Sequence, residues 1–263
     1  MGKTIVFVHG AWVTPLCWEK FIPFFEAKGY TCLAPAWPGK DRPVEDIRRD
    51  PSALAGLGIG EIVDHYAGVI QGLAEPPLLV GHSFGGLFVQ LLLDRGLGAA
   101  GAAIDSAPPR TVLPFFYPST VRSSLGVLLT PGFWNRVVHQ SLAEFPFAFV
   151  NRLSPADQRA AYDRYVIPET GRIFSQALTA PFHNLTRIDF QNATRGPLLM
   201  VAGGADQNVT AAMNRVNFSR YQHSKAVTEF KAFEGRCHWI IAQDGWEEVA
   251  GFIEEWFGRV AGK

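Results

Sequence analysis

The chain has little cysteine, no net charge and no apolar run long enough to cross a bilayer, and each shortage removes a class of function. Its three cysteines, Cys17, Cys32 and Cys237, form no metal-ligand spacing and leave at least one thiol unpaired. A reduced compartment is therefore expected rather than a disulfide scaffold. Lysine plus arginine (24) cancels aspartate plus glutamate (24), so neither nucleic acid nor an anionic membrane is favoured as a partner. Met1-Gly2-Lys3 leads straight into a strand-like run, with no apolar leader and cleavage site, and a cytoplasmic location is expected. No Walker or His-Glu-x-x-His pattern occurs, and neither a metal nor an organic cofactor is expected.

What is present is a core-former's composition: 263 residues, 48% hydrophobic, with 20 Phe and 7 Trp, enough to build one α/β domain carrying an inserted lid. Thr4-Ile5-Val6-Phe7-Val8 reads as a buried parallel strand. Pro15 to Lys28 repeats Trp18, Phe21, Ile22 and Phe25 at helical spacing and closes at Gly29. Tyr30 to Pro35 reads as a strand. Ala36 to Pro51, holding the charge cluster Lys40-Asp41-Arg42, reads as a loop with Asp41 and Asp46 in surface ion pairs. Ile59 to Leu73 is an amphipathic helix. Alternating strands and helices predict a mostly parallel sheet with helices on both faces.

The chain is organised around Gly81-His82-Ser83-Phe84-Gly85-Gly86, between the apolar strand Leu78-Leu79-Val80 and an apolar helix from Leu87 to Leu93. Small residues two positions either side of Ser83 allow a sharp, strained turn that offers its hydroxyl at the carboxyl end of the strand. The helix behind it brings unpaired N–H groups and the positive end of a dipole, which favour an oxyanion. Two later loops carry the groups such a serine needs. Pro197 to Ala202 is a strand that runs through Gly203-Gly204 to Asp206; Val227 to Phe233 is a strand followed by His238.

With His9-Gly10 ahead and Asp206 and His238 behind in that order, the Gly81–Gly86 turn resembles the α/β-hydrolase superfamily, most of all its small Ser-His-Asp esterases and hydroxynitrile-lyase-like enzymes. The resemblance implies an α/β-hydrolase fold with Ser83 as nucleophile, His238 as base and Asp206 as acid. It maps the oxyanion hole onto the amides of Ala11 and Phe84, and Trp12 and Trp239 are assigned to substrate contact, with core packing the alternative for Trp12. Asp105, at the end of the small-residue strand from Ala99 to Ile104, is the rival acid, since some members place theirs there. His9 is expected to brace its loop, and His82 to point away from its neighbour Ser83.

Residues 110–195 break the alternation. The resemblance makes them a helical cap inserted into a core of 1–109 and 196–263, with some of Phe115, Phe116, Tyr117, Phe133, Trp134, Phe145, Phe147, Phe149, Tyr162, Tyr165 and Phe174 roofing an apolar pocket and the rest packing the cap. Ser154-Pro155 reads as a helix start. The reaction expected is hydrolysis of a small, fairly hydrophobic ester or lactone through an acyl-enzyme, by a monomer or homodimer. The same fold also carries hydroxynitrile lyases, cofactor-independent oxygenases and ligand-binding receptors. The lyase type is expected to need a pocket cation, and no lysine occurs between Lys40 and Lys225. Dehalogenases and epoxide hydrolases carry aspartate at the elbow and are disfavoured.

Overall fold

The computed structural model describes residues 3–262. Six strands form one parallel sheet in the order β2-β1-β3-β4-β7-β8: β1 (Thr4–Val8), β2 (Thr31–Leu33), β3 (Leu78–His82), β4 (Ala100–Ile104), β7 (Leu198–Gly203) and β8 (Thr228–Phe233). Two further strands, β5 (Val137–Val138) and β6 (Glu169–Thr170), pair only with each other, antiparallel. The helices are α1 (Phe21–Glu26), α2 (Val44–Arg49), α3 (Ile59–Gln71), α4 (Phe84–Asp94), α5 (Pro118–Leu128), α6 (Phe145–Ala148), α7 (Pro155–Tyr165), α8 (Gly171–Leu178), α9 (Ala211–Ser219) and α10 (Trp246–Ala261).

β1, β3, β4 and β7 are buried almost throughout, which explains why they read as continuous apolar or small-residue runs rather than as alternating ones. The chain steps from β1 to β2 in one direction and from β3 to β4 in the other. Right-handed crossovers therefore put α1 and α4 on opposite faces, and α1 accordingly packs with α10 while α4 packs with α3. The reversal falls between β1 and β3, where the loops leaving adjacent strands diverge and open a crevice at the carboxyl edge. Val8 lies opposite Gly81, so the loop after β1 emerges beside Ser83.

Several boundaries differ from the sequence reading for physical reasons. The single helix expected over Pro15 to Lys28 is split into a 3-10 turn (Pro15–Trp18) and α1, because Pro23 has no N–H for the carbonyl of Glu19 and its ring crowds that group. Residues 36–51 are not all loop: α2 forms there, with the i,i+3 ion pairs Glu45–Arg48 and Asp46–Arg49 along it. Residues 110–195 give no strand to the central sheet, but they contain the β5–β6 ladder as well as helices. Two residues per strand is too short for any periodicity to show. We refer to this segment as the cap. Ser154 does cap α7, accepting the Asp157 N–H, with Pro155 at the first helical position.

Candidate active site

Ser83 sits at φ 58°, ψ −121°, a conformation that favours glycine, and is held there by close packing. A Cβ on Gly85 would fall 1.9 Å from the Val8 carbonyl oxygen, so only glycine lets α4 start this close to β1. A Cβ on Gly10 would lie 2.8 Å from Ser83 Cβ, which shows how tightly the β1 loop presses on the nucleophile. The Ser83 N–H is tied to the Ile104 carbonyl at 2.9 Å. The strain is local, and the neighbouring strands over-determine it.

His238, in the loop after β8, reaches Ser83 Oγ with Nε2 at 3.1 Å and Asp206 Oδ2 with Nδ1 at 2.6 Å. Asp206 Oδ1 accepts the N–H groups of Asn208 (2.7 Å) and Val209 (2.9 Å). With the carboxylate on its Nδ1 side the imidazole carries its proton there, and its Nε2 lone pair faces the serine hydroxyl. Burial pushes the His238 pKa down to about 3, so the ring is neutral and able to accept a proton. The Phe149 ring packs nearly at right angles to the His238 ring at a centroid distance of 4.8 Å, and His238 is fully buried.

Asp105 lies fully buried beside Asp206 without bonding His238. Burial raises both carboxyl groups, and the neighbouring charge of Asp206 raises Asp105 further. Asp206 is held by two backbone amides and the imidazole, whereas Asp105 accepts only the Gly203 N–H at 2.7 Å and its Oδ2 meets no donor among the described residues. The negative charge therefore belongs on Asp206, and the shared proton on Asp105.

The other two buried histidines support this arrangement. His9 Nδ1–H donates to the Gly10 carbonyl at 2.9 Å, and its Nε2 accepts the Trp37 N–H at 3.2 Å. The Gly10 carbonyl and the Ala11 N–H are two ends of one peptide, so this bond turns the Ala11 amide the other way. Ala11 and Phe84 both line the pocket next to Ser83, and neither amide has an acceptor among the described residues. His82 points away from Ser83 Oγ and holds the His238 carbonyl through Nε2 at 2.7 Å. His82, Asp105 and His238 each bring a potential ligand atom within 4.8 Å of the others. Because Ser83 and Asp206 already engage both His238 nitrogens, a metal there would have to displace one of them.

Burial lowers the pKa of His9, His82 and His238, whereas in the unfolded chain each titrates near 6.5. As the pH falls below about 6.5 the unfolded state takes up these protons first, and stability declines by at most about 1.4 kcal/mol per pH unit for each ring. Asp105 and Asp206, both raised in the fold, oppose this, because each binds its proton in the folded state before the unfolded one does.

A cavity of about 1030 Å³, counted out to its open mouth, leads to Ser83. Trp12, Ala107, Pro108 and Val209 from the sheet side meet Phe115, Val127, Phe149 and Phe174 from the cap, and among the described residues no charged side chain lines it. Of the cap aromatics only Phe115, Phe149 and Phe174 line the cavity. Trp12, stacked on Phe174 at 5.2 Å, lies at the cavity as expected. Trp239 does not: it is buried against Tyr165 at 5.0 Å, because with His238 turned to Ser83 the next side chain points the other way, under the cap.

Sequence reasoning passed over Lys40 and Glu169, both fully buried and bonded to each other at 2.5 Å. Lys40 stands in a charged triplet that reads as solvated, and the only signal for Glu169 is an acid directly after the apolar Tyr165-Val166-Ile167-Pro168.

The profile of the alpha/beta hydrolase family matches residues 5–252. No curated protein sequence matches significantly. Among solved structures, the fold is similar to a monoacylglycerol lipase from Paleococcus ferrophilus (22% identity, 100% of this chain and 97% of that one, TM-score 0.67). It is also similar to an extracellular alpha/beta-hydrolase from a Paenibacillus species (18%, 96% and 98%, TM-score 0.66) and to a pyrethroid hydrolase from Sphingobium faniae (17%, 98% and 98%, TM-score 0.65). Among the described residues, no helix is long and apolar enough to cross a membrane.

Proposed function

This chain belongs to the alpha/beta hydrolase family, and on that premise we propose that it is a serine hydrolase of small, uncharged, fairly hydrophobic carboxylic esters or lactones. The observation that carries the reading is the hydrogen-bonded line from Ser83 Oγ through His238 to Asp206, ending at a strained elbow in an apolar cavity. A serine hydroxyl is a weak nucleophile until a base within hydrogen-bond reach takes its proton. His238 Nε2 accepts that proton as Oγ attacks the carbonyl carbon, and Asp206 stabilises the imidazolium. The amides of Ala11 and Phe84 receive the oxyanion. His238 then protonates the leaving alcohol, and a water deprotonated by the same ring releases the acid from Ser83. The names of similar folds, a lipase and a pyrethroid hydrolase, agree with hydrolysis.

The uncharged lining supports a neutral substrate. It also speaks against the hydroxynitrile-lyase type, which is expected to need a cation near the leaving anion; Lys40 is committed to Glu169 and is not part of the lining. Turnover of p-nitrophenyl esters tests this reading. The acetate, butyrate and hexanoate should be hydrolysed, with KM falling as the acyl chain lengthens by about 0.8 kcal/mol of binding per buried methylene. A hemisuccinate ester, whose anion would have to enter an apolar cavity, should be turned over at least tenfold less efficiently. Preference for the anionic ester, or no hydrolysis of any of them by folded protein, would overturn it.

A further inference from the structure

The loop that supplies the Ala11 amide does not hold its shape alone. Trp12, the residue after it, has φ 69°, a value unusual for a side chain of this size. Its N–H donates to Glu169 Oε2 at 2.9 Å, and its carbonyl accepts the Ile167 N–H at 2.8 Å. Both partners come from the cap. Glu169 is in turn bonded to Lys40, whose Nζ also donates to the Val13 carbonyl at 3.3 Å and lies 3.9 Å from the centre of the Trp37 ring. The segment is fixed from behind as well: Arg48 holds the Val166 carbonyl at 2.8 Å, and Thr170 Oγ1 holds that of Leu57 at 2.8 Å.

Resting on the hydrolase reading above, we propose that Glu169 is a positioning residue through which the cap sets the oxyanion hole, its carboxylate gripping the Trp12 N–H while Lys40 balances that carboxylate's buried charge. The peptide between Ala11 and Trp12 is held by Glu169, and the one before it, which carries the Ala11 N–H, is turned by His9. Releasing the first grip lets the strained Trp12 relax and swings the Ala11 amide off the line to the oxyanion. Neither Glu169 nor Lys40 touches the cavity, so the larger effect falls on the transition state, and Trp12, which does line the cavity, adds a smaller change in substrate binding.

Two variants separate this role from simple charge neutralisation. Lys40→Met removes the ion pair but leaves a carboxyl oxygen on the Trp12 N–H; Lys40→Met combined with Glu169→Leu removes both, and replacing a buried pair with apolar side chains is compatible with folding. The double variant should lose about 10²-fold in kcat on p-nitrophenyl butyrate, with KM within about threefold of wild type and the same fractional loss in the rate of labelling by a fluorophosphonate. Lys40→Met should stay within about fivefold of wild type in both rates. A double variant with wild-type kcat, a loss confined to KM, or an equal loss in Lys40→Met would overturn the assignment. Wild-type protein that neither hydrolyses the ester nor takes the label would remove the hydrolase reading itself, and this role with it.

Discussion

Ser83→Ala is expected to lower kcat for p-nitrophenyl butyrate by about 10⁶-fold while leaving KM within a few-fold of wild type. Oγ is the only atom lost, and alanine can occupy the same elbow, since the packing of Gly10 and Gly85 against it is unchanged. The cavity walls from Trp12, Phe149 and Phe174 still bind the acyl chain. What disappears is the atom that His238 deprotonates at 3.1 Å. The remaining rate, about 10³-fold over water, would come from the two amides and from substrate orientation. Steady-state kinetics, with a urea melt to show an intact fold, checks this; a loss of less than about 10²-fold would mean that the alcohol is not the nucleophile.

The second large effect distinguishes two neighbouring carboxyl groups. Asp206→Asn is expected to cost about 10⁴-fold in kcat, because an amide nitrogen facing Nδ1 would turn the imidazole proton to Nε2 and remove the lone pair that faces Ser83. Asp105→Asn is expected to cost less than about tenfold. Asp105 already carries the proton of the pair, so an amide nearly reproduces its shape and charge, and the amide oxygen can still accept the Gly203 N–H. The backbone of residue 105 has φ 43°, which asparagine tolerates well. Kinetics of the two single variants decide the matter. If Asp105→Asn suffers the larger loss, the acid has been placed on the wrong strand.

The elements that were legible in the sequence are those whose signal is local. The run into Gly81, the glycines around Ser83 and the loops ending at Asp206 and His238 all lie in short windows, and the order of the three side chains followed from them. Parallel strands buried on both faces announce themselves by composition alone. The clamp on the oxyanion loop could not be read in the same way: Lys40 and Glu169 are 129 positions apart, and the flanking Asp41 and Arg42 make the lysine look solvated. Trp239 shows the limit of reasoning from adjacency. It was assigned to substrate contact, but consecutive side chains diverge, and Phe149, far away in the chain, is the aromatic that meets His238.

Covalent labelling by a fluorophosphonate tests most directly whether Ser83, His238 and Asp206 form one nucleophilic unit, because the reagent needs the activated alcohol and the oxyanion donors but no knowledge of the natural substrate. Peptide mass spectrometry should find a single adduct on the peptide containing Ser83, absent in Ser83→Ala and formed at least 10³-fold more slowly in His238→Ala. Folded, ester-hydrolysing protein that carries no adduct at Ser83, or that labels equally fast without His238, would contradict the account.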